Sequence, residues 1–468
     1  MAHAAIVWWL DIVATTRVRN PVGSVTYSPP DSVVVERIQR AFPSDELRER
    51  ARATNLVQRE RKFDFVALFY TLSFGFAAGS DRSIRAFLER FVEVADCDEL
   101  AYTSFTNWFS PTFVALLREI LDDAIENLDP GRNELRGRLE HFRDVLIADA
   151  TFISLYHDAK DVYAATGDDQ AGLKLHLTES LSTGLPTRLQ TTDGKTHERS
   201  QLPNGEWVAG ALILFDLGFY DFWLFDRIDA NDGWFVSRVK SNANPEIVEE
   251  LRTWRGNSIT LEGKSLKAVI DDLQRQEIDV LVELEFDRKH GSSATATTQF
   301  RLVGLLNEDD GEYHLYFTNL PRNEYPAPDI AQLYRARWEV ELLFRELKSR
   351  FRLDEIKTTK PYIIEALIIM AAISLMISRE IINELHELEA KRSDAADADE
   401  SASRLPPRRG SLVVERHAHL IQLYLMLELG YELPDLDELL LWASRDPNPH
   451  RERLFSDVES GEFTFDRH

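Results

Sequence analysis

Ala211-Leu212-Ile213-Leu214-Phe215 is an unbroken apolar run that ends in Asp216, Leu217 and Gly218. A half-exposed strand alternates apolar and polar side chains, so a run of this kind belongs to a central strand buried on both faces. Asp144-Val145-Leu146-Ile147-Ala148-Asp149-Ala150-Thr151 reads as a second strand, again with an acid near its end. Gly172 to Leu177 and Pro186 to Thr192 read as hairpin strands, Phe219 to about Asp229 as a helix, and Trp234 to Lys240 as a further strand. Strands with interspersed helix in this pattern specify a mixed α/β sheet.

At 468 residues the chain is too long for one ordinary domain. Residues 1–33, with Pro21, Pro29 and Pro30, read as a loose leader. Residues 34–140 read as helical: Phe63, Val66, Ala67, Tyr70 and Ile84, Phe87, Leu88, Phe91 both follow the i, i+3, i+4, i+7 spacing. Within them, the stretch around Phe105 followed by Phe113 to Leu121 suggests two short helices and a turn. That pair suits either a helix-turn-helix reader of DNA or a plain helical bundle. Residues 141–243 hold the first part of the core, and 244–328 are β-rich, with strands at Ile278 to Phe286, Phe300 to Leu306 and Tyr313 to Thr318. Residues 329–390 hold a long helix from Asp329 to about Phe351 and an apolar helix from Ile363 to Leu388. A polar linker at 391–411 leads to a helical C-terminal region, 412–468.

Composition narrows the function classes. A single cysteine, Cys97, excludes an internal disulfide framework and a cysteine zinc site. The longest apolar stretch, Ala366 to Ile377, is shorter than the roughly 18 to 20 residues that span a bilayer. The N-terminal run Ala4 to Leu10 is interrupted by Asp11 and has no basic flank, unlike a signal peptide. The expectation is a cytoplasmic chain, nucleoid-associated if it binds DNA. The twelve histidines show no metal-ligand spacing, and no phosphate-cradling glycine loop is present. Net charge is −25, from 79 acidic against 54 basic residues, opposite in sign to a plain nucleic-acid binder.

The chemistry concentrates in Tyr334 to Lys348. On a helix, Leu333, Ala336, Val340, Leu343, Phe344, Leu347 and Phe351 cover an arc roughly 100° wide. Tyr334, Arg337, Glu341 and Lys348 fall within about 60° of one another on a separate face. Glu339, Glu346 and Arg350 point elsewhere, to the expected solvated side. A carboxylate flanked by cations and a phenol is what a metal-dependent phosphodiester site needs: the acid holds the ion and the cations hold the strand.

This segment resembles the signature Tyr-(2)-Arg-(3)-Glu-(6)-Lys of DDE-class insertion-sequence transposases, matched without a gap. Asp149 in Asp-Ala-Thr and Asp216 in Asp-Leu-Gly-Phe are similar to that family's two aspartates, and Phe235-Val236-Ser237-Arg238-Val239-Lys240 to its Phe-Val-x-Arg-x-Lys strand. The resemblance implies a ribonuclease H-like catalytic core with a β-rich insertion, flanked by helical N- and C-terminal regions. It implies that Asp149, Asp216 and Glu341 jointly hold two Mg²⁺ (or Mn²⁺) ions, one activating water or a 3′-hydroxyl and the other stabilising the leaving oxygen. Tyr334, Arg337 and Lys348 would then grip phosphates, Arg238 and Lys240 the transposon end, and Trp338 would stack on an unpaired base. The implied partners are double-stranded DNA, as terminal inverted repeats and as target, and a second copy of the chain in a synaptic complex, with no membrane. The implied activity is cleavage of transposon ends and strand transfer of 3′-hydroxyls. Alternatives are a nuclease of the same fold without joining activity and a catalytically silent DNA-binding derivative. Acidic excess with 42 Arg against 12 Lys further suggests an extreme halophile, where concentrated salt screens the acidic surface.

Overall fold

The computed structural model describes residues 32–431 apart from 55, 57–62, 78–82, 96–99, 129–134, 136, 166–170, 204, 252, 255–256, 259–260, 272, 274, 288–294, 308–310, 354–355, 357 and 394–406. The expected leader, all but its last two residues, lies outside the described residues, as do most of the expected linker and the helical sequence beyond 431. The chain divides into two compact units, one drawn from Met1–Gly75, Asp81–Trp108 and His417–His468, the other from Phe76–Ser80 and Phe109–Arg416.

The first unit is helical. Ser32 caps α1 (Val33–Ala41) by accepting from Val35 N, and α2 (Ser44–Ala53) follows. The helix α3 (Phe65–Ala77) is apolar all round and accordingly buried, whereas α4 (Ile84–Val94) buries the expected stripe of Ile84, Phe87, Leu88 and Phe91. Phe105, on α5 (Tyr102–Asn107), and Trp108 pack on Phe91 at ring-centroid distances of 6.0 and 5.2 Å. The C-terminal sequence joins this unit: Gln422 donates to Thr71 at 3.3 Å and Tyr431 to Asp64 at 2.6 Å. Two helices are present in the stretch expected near Phe105, but they fall in different units: α5 in this one, with Phe105 buried, and α6 (Pro111–Asn127) in the second, where it buries Phe113, Leu116, Leu117 and Ile120.

The second unit is built on a nine-stranded sheet. Its strands are β1 (Asp144–Ser154), β2 (Gly172–Ser180), β3 (Leu185–Asp193), β4 (Ala211–Phe215), β5 (Trp234–Arg238), β6 (Glu246–Glu250), β9 (Glu277–Asp287), β10 (Thr295–Leu306) and β11 (Tyr313–Thr318), while β7 (Thr253–Trp254) and β8 (Asn257–Ser258) pair separately. The order is β3-β2-β1-β4-β5-β11-β10-β9-β6; β1, β4 and β5 are mutually parallel and every other pairing is antiparallel. The β-rich sequence after β5 therefore continues the core sheet. The apolar run of β4 is buried along its whole length, as its composition requires. One face of the sheet packs Leu146, Ile213, Phe215, Phe235, Phe300 and Phe317 against α7 (Phe222–Ala230) and α8 (Leu266–Ile270).

The long helix expected from Asp329 to Phe351 is broken in two, α9 (Ala327–Arg335) and α10 (Trp338–Ser349). Ala336, Arg337 and Glu339 donate their backbone N–H groups to Leu333, Tyr334 and Ala336, three i→i+3 bonds that tighten the chain at the junction. Then come α11 (Pro361–Ser393) and α12 (Pro407–Glu428). Over Pro361–Leu388, α11 is long and apolar enough by length and composition to cross a membrane, further than the apolar stretch expected from sequence. Its most apolar window is 83% buried inside the protein, so it serves as a core helix.

A buried ion pair fixes the entry to α9. Arg301 grips Asp279 with two bonds of 2.7 and 2.9 Å and donates to the carbonyls of Leu320 and Tyr325. The strands β9 and β10 thus hold the loop that aims the helices of the site.

Candidate active site

Register brings the two aspartates together. Ala148 of β1 pairs with Phe215 of β4 in parallel and is the last such pair, so the next residues, Asp149 and Asp216, emerge side by side where that pairing stops. The strand β4 ends there, but Asp149 does not close its strand as expected, since β1 runs on to Ser154 paired with β2. The side chain of Asp149 alternates with Ala148 and Ala150 and so faces away from the aromatic core, toward α10, which packs on β1. Its Oδ1 accepts from Ala150 N at 2.7 Å. Burial pushes the Asp149 carboxyl up to about 7; the Ala150 N–H and Arg337 oppose this, and the charges of Asp216 and Glu198 add to it.

The broken helix supplies the rest. Arg337, at the junction, donates to Asp149 Oδ2 at 3.0 Å and to Glu341 Oε1 one turn later, so one guanidinium bridges two acids distant in the chain. The same guanidinium lies 5.8 Å from the Tyr334 ring centroid, and that ring packs on Tyr316 of β11 at 5.1 Å. Tyr334 Oη and Arg337 Nε are buried without a hydrogen-bond partner among the described residues. Burial raises the Tyr334 hydroxyl above the usual phenol range, with Arg337 opposing. Burial works against the Arg337 charge, but its hydrogen bond to Glu341 and its neighbours Tyr334, Asp149 and Asp216 hold its pKa above the ordinary value.

The remaining expected residues lie at the margins. Arg238 is exposed at the end of β5, paired across strands with Tyr316, and its charge reaches Tyr334. Lys240, beyond the end of β5, holds its Nζ 5.0 Å above the Tyr220 ring. Lys348 is half-buried in the last turn of α10, on the face of Glu341 and about 10.5 Å further along the axis. Trp338, at the start of α10, is 52% exposed, an unusual position for its size.

One expectation is corrected. Glu346 does not face solvent with Glu339; it is buried against Arg379 of α11 at 2.7 Å, because α11 covers that side of α10. The amphipathic pattern of α10 alone cannot reveal a buried cation on a later helix. Sequence reasoning also missed Glu198, which lies in a short turn after β3 with no periodicity to mark it. Its charge acts on Asp149, and it pairs with Lys174 at 3.5 Å.

The donor set is all carboxylate oxygen, which suits a hard divalent cation such as Mg²⁺ or Mn²⁺. A buried acid with two acidic neighbours calls for positive charge, and Arg337 now meets that demand at two of the acids. Among the described residues no three acidic or histidine side chains are arranged to hold a metal as they stand. The residues fit the ion in kind, and Asp149 and Glu341 would have to exchange the guanidinium for it.

Residues 140–377 match the family model of the transposase DDE domain. The chain is 23% identical over 394 residues to the transposase for insertion sequence element IS231F of Bacillus thuringiensis subsp. israelensis, covering 76% of this chain and 80% of that protein. It is 22% identical over 283 residues to the transposase for element IS231E of Bacillus thuringiensis subsp. finitimus, covering 53% of this chain and 59% of the relative. A solved piggyBac transposase synaptic complex with hairpin DNA is similar at a TM-score of 0.47 and 12% identity, covering 93% of this chain and 89% of that one.

Proposed function

The chain belongs to the transposase DDE domain family, and on that premise we propose that it cuts the ends of a DNA element and joins the 3′-hydroxyls to target DNA. The observation that carries this reading is the convergence of Asp149, Asp216, Arg337 and Glu341 where the parallel pairing of β1 with β4 stops. The core is read as ribonuclease H-like. The order β3-β2-β1-β4-β5, antiparallel through β1 and parallel from β1 to β5, supports that reading.

In this reading Asp149, Asp216 and Glu341 hold Mg²⁺ or Mn²⁺, two ions per site. When bound, the ions supply Lewis-acid activation of the attacking hydroxyl and neutralise charge at the leaving oxygen. The protein's own residues orient the strand. Tyr334 Oη and Arg337 Nε, buried without partners among the described residues, are donors suited to a phosphate, and Arg238, Lys240 and Lys348 extend the cationic margin. Trp338, exposed beside them, offers a surface for a base. Two element ends must be joined together, so the working species is a dimer on paired terminal repeats. The −25 charge, with 42 Arg against 12 Lys, supports a setting of concentrated salt.

The test is incubation with DNA bearing the inverted repeats that bracket the coding region, a supercoiled target and Mg²⁺ or Mn²⁺. Strand-transfer products are expected, and Glu341→Gln should remove them while end binding persists, with Glu339→Gln close to wild type. Cleavage without joined products would make the chain a nuclease, and binding without cleavage a silent derivative.

A further inference from the structure

The geometry points to Glu198 as a fourth carboxylate of the cation site, held in place by Lys174 and admitted by Gly218. This rests on the metal-dependent reading above and extends it to a residue outside the three acids of the resemblance. Glu198 opens a short helical turn, Glu198–Ser200, between β3 and β4. That turn is fixed at both sides. Asp193 accepts from Lys195 N at 3.0 Å and from Thr196 N at 2.8 Å, while Lys174 donates to the Thr196 carbonyl at 3.0 Å. Arg199 meets Asp221, the cap of α7, at 3.8 Å. The turn therefore stays against the loop that carries Asp216.

Contact with that loop is close. A methyl group built on Gly218, two residues past Asp216, would overlap Glu198 Oε2. Glycine at 218 thus leaves the space that the Glu198 carboxylate fills. The backbone there needs no left-handed conformation, so the close approach alone accounts for the need. Glu198 is also within electrostatic reach of Asp149, so its charge acts on the same point as that of Asp216. Two divalent ions beside three carboxylates are one negative charge short of balance, and Glu198 closes the gap. Lys174, 3.5 Å from Glu198, pairs with it before cations arrive, as Arg337 does with Asp149 and Glu341.

Calorimetric titration of the full chain with Mn²⁺, with and without duplex DNA, tests the assignment. Glu198→Gln should weaken Mn²⁺ binding by about tenfold, and Glu198→Asp by less. Gly218→Ala should weaken it too, though it removes no acid, because the added methyl displaces only the tip of a flexible side chain. Its melting temperature without metal should match wild type, which separates displacement of Glu198 from misfolding. Wild-type Mn²⁺ affinity in both Glu198→Gln and Gly218→Ala, with Asp149→Asn and Glu341→Gln losing it, would overturn the role of Glu198 and leave the metal reading standing. A wild-type chain that binds no Mn²⁺ even with DNA would overturn both.

Discussion

Asp149 and Arg337 are 188 residues apart in the chain and 3.0 Å apart in the fold. The same guanidinium reaches Glu341, so without a metal one side chain pairs with two acids that the proposed chemistry needs for a cation. Arg337→Ala should therefore lower metal-free stability by about 1–3 kcal/mol, since it leaves a buried carboxylate without its charged partner. Divalent cations should then stabilise the variant more than wild type. Thermal melts in chelator and in Mn²⁺ measure both, and an equal Mn²⁺ response in the two proteins would sink the idea that cation and guanidinium compete.

Glu346 carries a different expectation from its neighbours on α10. Glu346→Ala leaves Arg379 buried without this carboxylate and should cost about 3–5 kcal/mol, whereas Glu339→Ala, on the exposed face, should change stability by less than about 0.5 kcal/mol. Urea unfolding of the two variants decides it, and similar midpoints would remove the ion pair from the account.

His176 makes stability depend on acid. It is buried on β2, its Nε2 meets Thr192 Oγ1 at 2.8 Å, and burial, helped by Lys174, pushes it down to about 4. The unfolded chain binds this proton near pH 6.5 and the folded one does not until near pH 4, so stability is full above 6.5 and falls as pH drops through that window. The loss is at most about 3 kcal/mol. His176→Gln should flatten this part of the profile; a variant whose pH dependence overlays wild type between pH 6.5 and 4 would show the imidazole is not responsible.

The charge of −25 sets the fourth test. Folding and end cleavage should both improve as KCl rises from about 0.1 M into the molar range, because screening shrinks to about 3 Å at 1 M and relieves self-repulsion. A chain most stable at about 0.1 M KCl that sheds DNA steadily above it would instead follow ordinary counterion release.

Much of the sheet was legible because each strand announces itself locally. The apolar run of β4 and the alternation in β9 need no knowledge of their partners. The break between α9 and α10 was not legible, since Ala336 and Arg337 keep helical backbone angles and no proline or glycine marks the change. Glu198 and Arg379 were illegible for another reason. Their significance lies in which distant residues they meet, Gly218 and Lys174 for one and Glu346 for the other, and local pattern carries no such information.

The chain between β5 and β11 makes a closed detour. Beyond Arg238 it runs outward to β6, returns through β9 and β10, and comes back as β11 beside β5, where Val239 N donates to the Leu315 carbonyl at 3.0 Å. The excursion begins and ends at the same place, so a tight hairpin could join β5 to β11 directly without redrawing the sheet's parallel centre. The intervening strands thus hang on the sheet as a detachable flap, and Arg238 and Tyr316 would stay opposite each other without it.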